Sequence, residues 1–392
     1  MAHPSRRDLL VSATATALAC GGDPSMNQAS GDTGPSGSNV LDRCLGSLDG
    51  GILERVAPFV GERERTLEAK TGAGLDARWV LDLTKLSTED LVLDQARLFV
   101  RTEAPIGLAD RIAAGWSVRV EGDGDAVDVP VDAILTETAD RGAVHMECSG
   151  NTDFGGYGLQ GAVVWAGVPI SWFLDQVSAL DGGLIEVAGY DEHPPPEGSS
   201  TPGAAWIFRP EDLTNAFVAT HIGDEPLSED HGAPVRLMVP GWYGCTCIKW
   251  VESIRWVPAD SPATSQMQEF AQRTEQTAVH DLARDFTPAV NDVAATPVRV
   301  EVWDVDGRRR VRVIGLVWGG TEPRPVPRLW ANGEDLGLVE PCDEDTADTW
   351  ALWSITLPNR FRGSVRLTLT IDDPAVQTRR LDRDYYARTV EI

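Results

Sequence analysis

The stretch HMECSGN, His145 to Asn151, sets one cysteine among small, turn-forming residues at the end of an alternating apolar run. A thiol in that setting has four uses: core filling, half of a disulfide, a nucleophile, or a soft ligand to a metal. Five further cysteines, Cys20, Cys44, Cys245, Cys247 and Cys342, are scattered along the chain. No CxxC pair occurs, which disfavours structural zinc and c-type haem attachment. Cys245 and Cys247 alternate, and an extended strand would hold their Cα atoms about 6.6 Å apart, near the upper limit for a bridge. Whether these two, or Cys44 and Cys342, are oxidised is left open by spacing alone.

The elements that must position these residues fall into two kinds. From about residue 70 to 290 short strands mix with helices. ARLFVRT and WSVRVEG alternate as strands, ISWFLDQVSAL is spaced for one face of a helix, and APVRLMVP and CIKWVESIRWV read as strands joined by the turn GWYG. The order lacks regular strand–helix alternation, so a mixed α+β domain is expected. After about residue 295 the pattern is strand upon strand. VRVEVWDVDGRRRVRVIGLVWGG is a hairpin around Asp306-Gly307, followed by strands in RLWANGEDLGLVE, TWALWSITLP, GSVRLTLTID and YYARTVEI at sandwich spacing. The chain therefore divides into a signal and tether (1–40), a mixed α+β domain (41–290) and a β-sandwich (291–392), with TPAVNDVAATP as the linker.

With 392 residues, 42% of them hydrophobic, the chain has material for two cores. Its formal net charge of −26 repels nucleic acid and anionic membranes and favours basic partners. No segment approaches the roughly 18–20 uninterrupted apolar residues of a membrane span. SRRDLL, with Arg6 and Arg7, precedes a short apolar run ending at LAC, and reads as a twin-arginine export signal with Cys20 as a candidate lipid-anchor site. The following GGDPSMNQASGDTGPSGSN is a polar tether.

Beyond single residues, LFVRT, ECSGN, AVVWAGVPI, GYD, HGAPVRLMVPGWYG, CIKWVESI and VQTRRLD occur in one order over the chain from about Leu98 onward. That series resembles the sulfite oxidase family of molybdopterin-dependent oxidoreductases. The resemblance implies a molybdenum-molybdopterin cofactor, with Cys148 as the metal ligand and a catalytic residue. It implies that Arg101, Thr102, Asp191, His231, Arg236, Cys247 and Lys249 bind the cofactor. Cys247 would do so through its backbone, and Arg101 would lie near the metal's oxygen ligands as a catalytic group. A thiolate suits a metal already held by dithiolene sulfur, and arginine and lysine suit a phosphate. The sandwich resembles the family's dimerisation domain, an immunoglobulin-like fold, and implies a two-fold homodimer.

The substrate side departs from that family. Where sulfite oxidases continue with paired arginines, this chain has Thr152 and Asp153, and the family's tyrosine after the KW pair has no match in ATSQMQEFAQRT. Asp153 is the candidate for selecting a neutral or cationic substrate, which puts sulfite in doubt. No haem motif or dinucleotide fingerprint is visible, so electrons pass to or from a separate carrier, such as a basic exported c-type cytochrome. The competing reading is an inactive cofactor-binding or interaction protein that retains the fold.

Overall fold

The computed structural model describes residues 44–392 apart from 62–65, 154–155, 192, 194–202, 272, 275–287, 321–323 and 343–348. The export signal, the tether and Cys20 lie outside the described residues. Strands β1 (Ile52–Ala57) and β2 (Phe59–Val60) come first, then the paired β3 (Arg78–Trp79) and β4 (Val100–Arg101). Helix α1 (Leu108–Ala113), β5 (Ser117–Glu121), β6 (Ala126–Pro130), α2 (Val131–Thr136), β7 (Ala139–Glu147), β8 (Gln160–Pro169) and α3 (Ile170–Leu174) follow. Next are β9 (Leu184–Gly189), β10 (Ala205–Phe208), β11 (Phe217–Ile222), β12 (Glu225–Pro226), β13 (Arg236–Met238), β14 (Val251–Val257) and α4 (Ser265–Phe270).

Two sheets form this part. One runs β10-β9-β14-β5-β6, antiparallel except where β14 lies parallel to β5. The other runs β12-β11-β8-β7, with β13 also on β11. The helices are one to two turns long, so sheets carry the architecture, as the irregular sequence pattern predicts. The expected helix over ISWFLDQVSAL stops at Leu174. Its later backbone is claimed from outside: the Asp125 carboxylate accepts from Ser178 N and Oγ, and the Ser178 carbonyl accepts from Asp123 N at 2.8 Å. Those bonds replace the helical ones.

The remaining strands are β15 (Ala294–Val305), β16 (Arg308–Trp318), β17 (Arg328–Ala331), β18 (Glu334–Leu338), β19 (Glu340–Pro341), β20 (Trp350–Leu357), β21 (Ser364–Thr370) and β22 (Arg388–Glu391). They build an all-β, immunoglobulin-like sandwich from the sheets β1-β15-β16-β20-β19 and β18-β17-β21-β22-β2. Asp306 and Gly307 both have positive φ, 52° and 70°, so the hairpin turns as the Asp-Gly pair predicts. β1 and β2, from the start of the described chain, occupy one edge of each sandwich sheet. Cys44 and Cys342 form a disulfide with their Cα atoms 5.4 Å apart, while Cys148, Cys245 and Cys247 are free thiols.

The stretch read as a linker is not slack. Val293 and Ala294 are buried, and Asp292 takes two bonds from the Arg379 guanidinium, at 2.6 and 2.9 Å. One apolar cluster runs from Val144, Met146 and Cys148 through Trp318 to Val390, so the wall bearing the thiol and the sandwich share a core. A second cluster, with Trp116, Phe173, Trp206 and Trp250, lies under the β14 sheet.

Candidate active site

Cys148 sits just past β7, where the chain leaves the sheet. Its backbone N–H still bonds Leu159 O at 2.9 Å, and Asn151 N returns to Cys148 O at 2.9 Å, closing a tight turn. Gly150 N points at Cys148 Sγ, 3.4 Å away. The preceding Glu147 faces the opposite way, into the core. Its carboxylate accepts from Asn151 Nδ2 at 3.1 Å, Tyr386 Oη at 3.1 Å and Trp318 Nε1 at 2.8 Å. Burial pushes its carboxyl pKa up. Three elements are thus tied to the residue before the thiol.

The thiol opens onto a cavity of about 1090 Å³. Arg101, Thr102, Asp191, Arg236, Cys247 and Lys249 line the same cavity, so the structure brings together all but two of the residues that the sequence singles out. His231 is buried behind the wall: Nε2 lies 3.2 Å from Leu98 O, Nδ1 2.8 Å from Ser228 Oγ, and its carbonyl accepts from Arg236 Nη1 at 3.2 Å. Burial, with Arg236 and Lys249 nearby, lowers its pKa to about 4, so it is a neutral strut beneath two cations. Asp153 is exposed and outside the lining.

The cations are held by backbone carbonyls. Lys249 Nζ donates to Arg101 O at 3.2 Å, Thr102 O at 2.5 Å and Asp230 O at 2.8 Å, and lies 4.4 Å from the Trp250 ring centre. Burial, then the neighbouring Arg236, pushes its pKa well down. Arg236, on β13, is 6% exposed and gives Nη2 to Met146 Sδ. Burial lowers its pKa to about 10, against the opposing pull of Cys247. Gly232 has φ 110°, and a Cβ there would lie 3.1 Å from Lys249 Cβ and 3.2 Å from Arg236 Cβ, so the two basic stems pack against bare backbone. Arg101, at the end of β4, donates to Leu75 O; burial lowers its pKa while the Cys148 sulfur opposes that shift. Thr102 holds a left-handed φ of 72°, and its hydroxyl bonds Leu75 O at 3.1 Å. A β-branched residue there costs on the order of 1–3 kcal/mol, a strain of the kind that collects at functional sites. The Asp191 carboxylate accepts from Gly203 N and Ala204 N and bonds His193 Nδ1.

Sequence reasoning missed three contributors. Arg380, 4% exposed, donates through Nη2 to Ser149 O at 2.9 Å and to Arg273 O, with its guanidinium 4.5 Å from the Tyr243 ring centre. Tyr385 donates its hydroxyl to Asn151 O at 2.7 Å. Arg273 follows α4. All three line the cavity, and two come from the segment between β21 and β22. The doubled arginine of VQTRRLD was the only local signal.

The cavity wall carries seven basic side chains against four acidic ones, in a chain of net charge −26. Arg236 Nε and Arg380 Nη1 are buried donors without a protein partner. Unmet donors of this kind await an acceptor, and the residues fit an anionic organic chelate. Among the described residues no group of three or more histidine, cysteine or carboxylate side chains converges. One thiolate donor is what a metal already held by such a chelate requires.

Residues 105–265 match the family model described as the oxidoreductase molybdopterin binding domain. The mitochondrial sulfite oxidase of Drosophila melanogaster is 30% identical over 223 residues, 52% of this chain and 38% of that protein. The NADPH nitrate reductase of Neurospora crassa is 26% identical over 342 residues, 71% of this chain and 32% of that protein. The chain spans less than half the length of these curated relatives. In fold it is similar to the sulfane dehydrogenase SoxCD from Paracoccus pantotrophus, with a TM-score of 0.61 at 15% identity, covering 82% of this chain and 88% of that one. The domain that holds Cys148, Arg236 and Lys249 is thus similar in sequence to the molybdopterin-binding domain of sulfite oxidases and nitrate reductases, and the chain shares its fold with the sulfane dehydrogenase.

Proposed function

We propose that the chain transfers an oxygen atom between water and a small oxyanion, exchanging two electrons with a separate carrier. The observation that carries this reading is the single cavity onto which the Cys148 thiol and an excess of basic side chains open. When bound there, molybdenum-molybdopterin supplies the oxygen-atom and two-electron chemistry. The protein's part is to hold, orient and polarise. Cys148 serves as the thiolate ligand. Arg236 and Lys249 hold the cofactor's anionic end, and the neutral ring of His231 supports them without adding a third charge. Asp191 has lone pairs beyond its present bonds with which to accept from ring N–H groups, and Thr102 and Cys247 present backbone to the cofactor. Arg101 polarises the reacting oxygen, an electrostatic role strengthened by its burial.

Asp153 is exposed and does not line the cavity, so the basic lining outweighs it in favour of an anion, although the family's arginine pair and tyrosine are missing. An oxyanion entering this cavity meets cations instead. We infer also that the protein is exported by the twin-arginine route, is anchored at Cys20 or free in the periplasm, and works as a homodimer with a basic carrier such as a c-type cytochrome. The Cys44–Cys342 disulfide supports an oxidising compartment.

The test is elemental and pterin analysis of the full chain, followed by turnover with sulfite, nitrate, a sulfoxide and an N-oxide using an artificial electron carrier. About one molybdenum per chain is expected, with faster turnover of the anions than of the neutral compounds. Stable metal-free protein, or metal-loaded protein inert to the whole panel, would return the chain to a binding role.

A further inference from the structure

We propose that Arg273 is the substrate-orienting cation of this cavity, supplying from α4's end the positive charge that the loop after Cys148 lacks. The inference rests on the oxyanion reading of the site. From Ser149 to Asp153 that loop reads SGNTD, with no basic residue and one exposed carboxylate that does not line the cavity. Beside the thiol it presents Ser149, the bare backbone of Gly150 and Thr152 to the cavity. A Cβ at Gly150 would stand 3.4 Å from Arg273 Nη1 and 3.8 Å from Cys148 Sγ. The guanidinium and the sulfur therefore lie within contact reach of the same point beside the Gly150 backbone.

The backbone of Arg273 is fastened there, while its side chain is exposed. Arg380 Nη2 donates to the carbonyls of both Ser149 and Arg273, so one buried side chain fastens the α4 end to the cysteine loop. The Arg273 guanidinium also rests 5.3 Å from the Phe270 ring centre. No salt bridge to Arg273 occurs among the described residues, so its charge is available to a ligand. Arg273 also acts on Arg101 as a like charge from within the same cavity. Two guanidinium groups facing a shared space repel one another, and a small anion between them converts that repulsion into two attractions. An oxyanion held in this way is oriented by arginines that reach it from different elements, with Cys148 alongside.

The experiment uses the cofactor-loaded full chain and two readouts. Sulfate, which cannot turn over, is titrated by calorimetry, and sulfite turnover is measured over a concentration series. Arg273→Ala should weaken sulfate binding at least tenfold and raise KM for sulfite by a similar factor, with kcat within about threefold and molybdenum and pterin content unchanged. Arg273→Lys, which keeps the charge without the fork, should fall between the two. Sulfate affinity in Arg273→Ala within twofold of the parent overturns the proposal, as does a parent that binds no sulfate. Loss of cofactor in step with the guanidinium also overturns it, since Arg273 would then serve the cofactor. If sulfate binding depends on Arg273 while no oxyanion turns over in the parent, the oxyanion-transfer reading fails and the assignment of Arg273 as an anion-holding residue stands.

Discussion

Two arginines, both nearly sealed from water, have opposite surroundings. Arg312 in the sandwich gives Nε and Nη2 to Glu301 Oε2, at 2.8 and 2.5 Å, and its guanidinium lies 5.1 Å from the Trp303 ring centre. Arg236 at the cavity has no carboxylate partner among the described residues, spends its donors on a carbonyl and a thioether, and leaves Nε unmet. A buried charge with its counter-charge is part of a finished fold. A buried charge without one lowers stability until something anionic arrives. The Arg312 site is therefore complete within the folded chain, and the cavity is built to be completed.

The sharpest break of that contrast is at the thiol. Cys148→Ser should strip molybdenum from the purified protein, read by elemental analysis, while the sandwich keeps its far-ultraviolet signature. Retention of stoichiometric metal would dissolve the distinction. Next, the two arginine sites should respond with opposite signs in urea titrations of cofactor-free protein. Glu301→Ala, which removes the counter-charge of Arg312, should cost about 3–5 kcal/mol, whereas Arg236→Met should stabilise by about 1–3 kcal/mol and prevent cofactor retention. A matching loss at both sites would mean that Arg236 is already paired in effect.

The smallest expected effect is on pH. His231 behind the cavity and His145 beside Trp350 are held neutral in the fold, with pKa lowered by burial to about 4 and about 3. The unfolded chain takes up a proton at each below about pH 6.5 and the folded one does not, so stability falls as pH drops from there toward 4. At pH 5 each should cost about 2 kcal/mol relative to pH 7. Replacing either by asparagine should remove about half of that slope in urea midpoints.

The parts legible in sequence are those whose cause is local. Asp306-Gly307 announces its hairpin because both residues accept positive φ, and the Cys148 loop is visible because its glycine and asparagine are turn chemistry. The α3 helix was overextended because Asp125, more than fifty residues earlier, takes the bonds at Ser178. The cavity's basic wall was half legible for the same reason. Arg236 and Lys249 belong to ordered motifs, but Arg380 reaches Ser149 across 231 positions, and no spacing rule foretells that encounter. The substrate side shows the same limit: Asp153 follows the cysteine in sequence, while Arg273, which no motif marks, lies near it in space.

The bond between Cys44 and Cys342 closes 298 positions of backbone into a covalent ring that contains the cavity residues described above except Arg380 and Tyr385. A protease that nicks this ring once releases no fragment, because the two pieces remain joined through sulfur. The cut protein should run as a single band without reductant and as two with it, so a sample scarred by proteolysis can pass for intact until its thiols are restored.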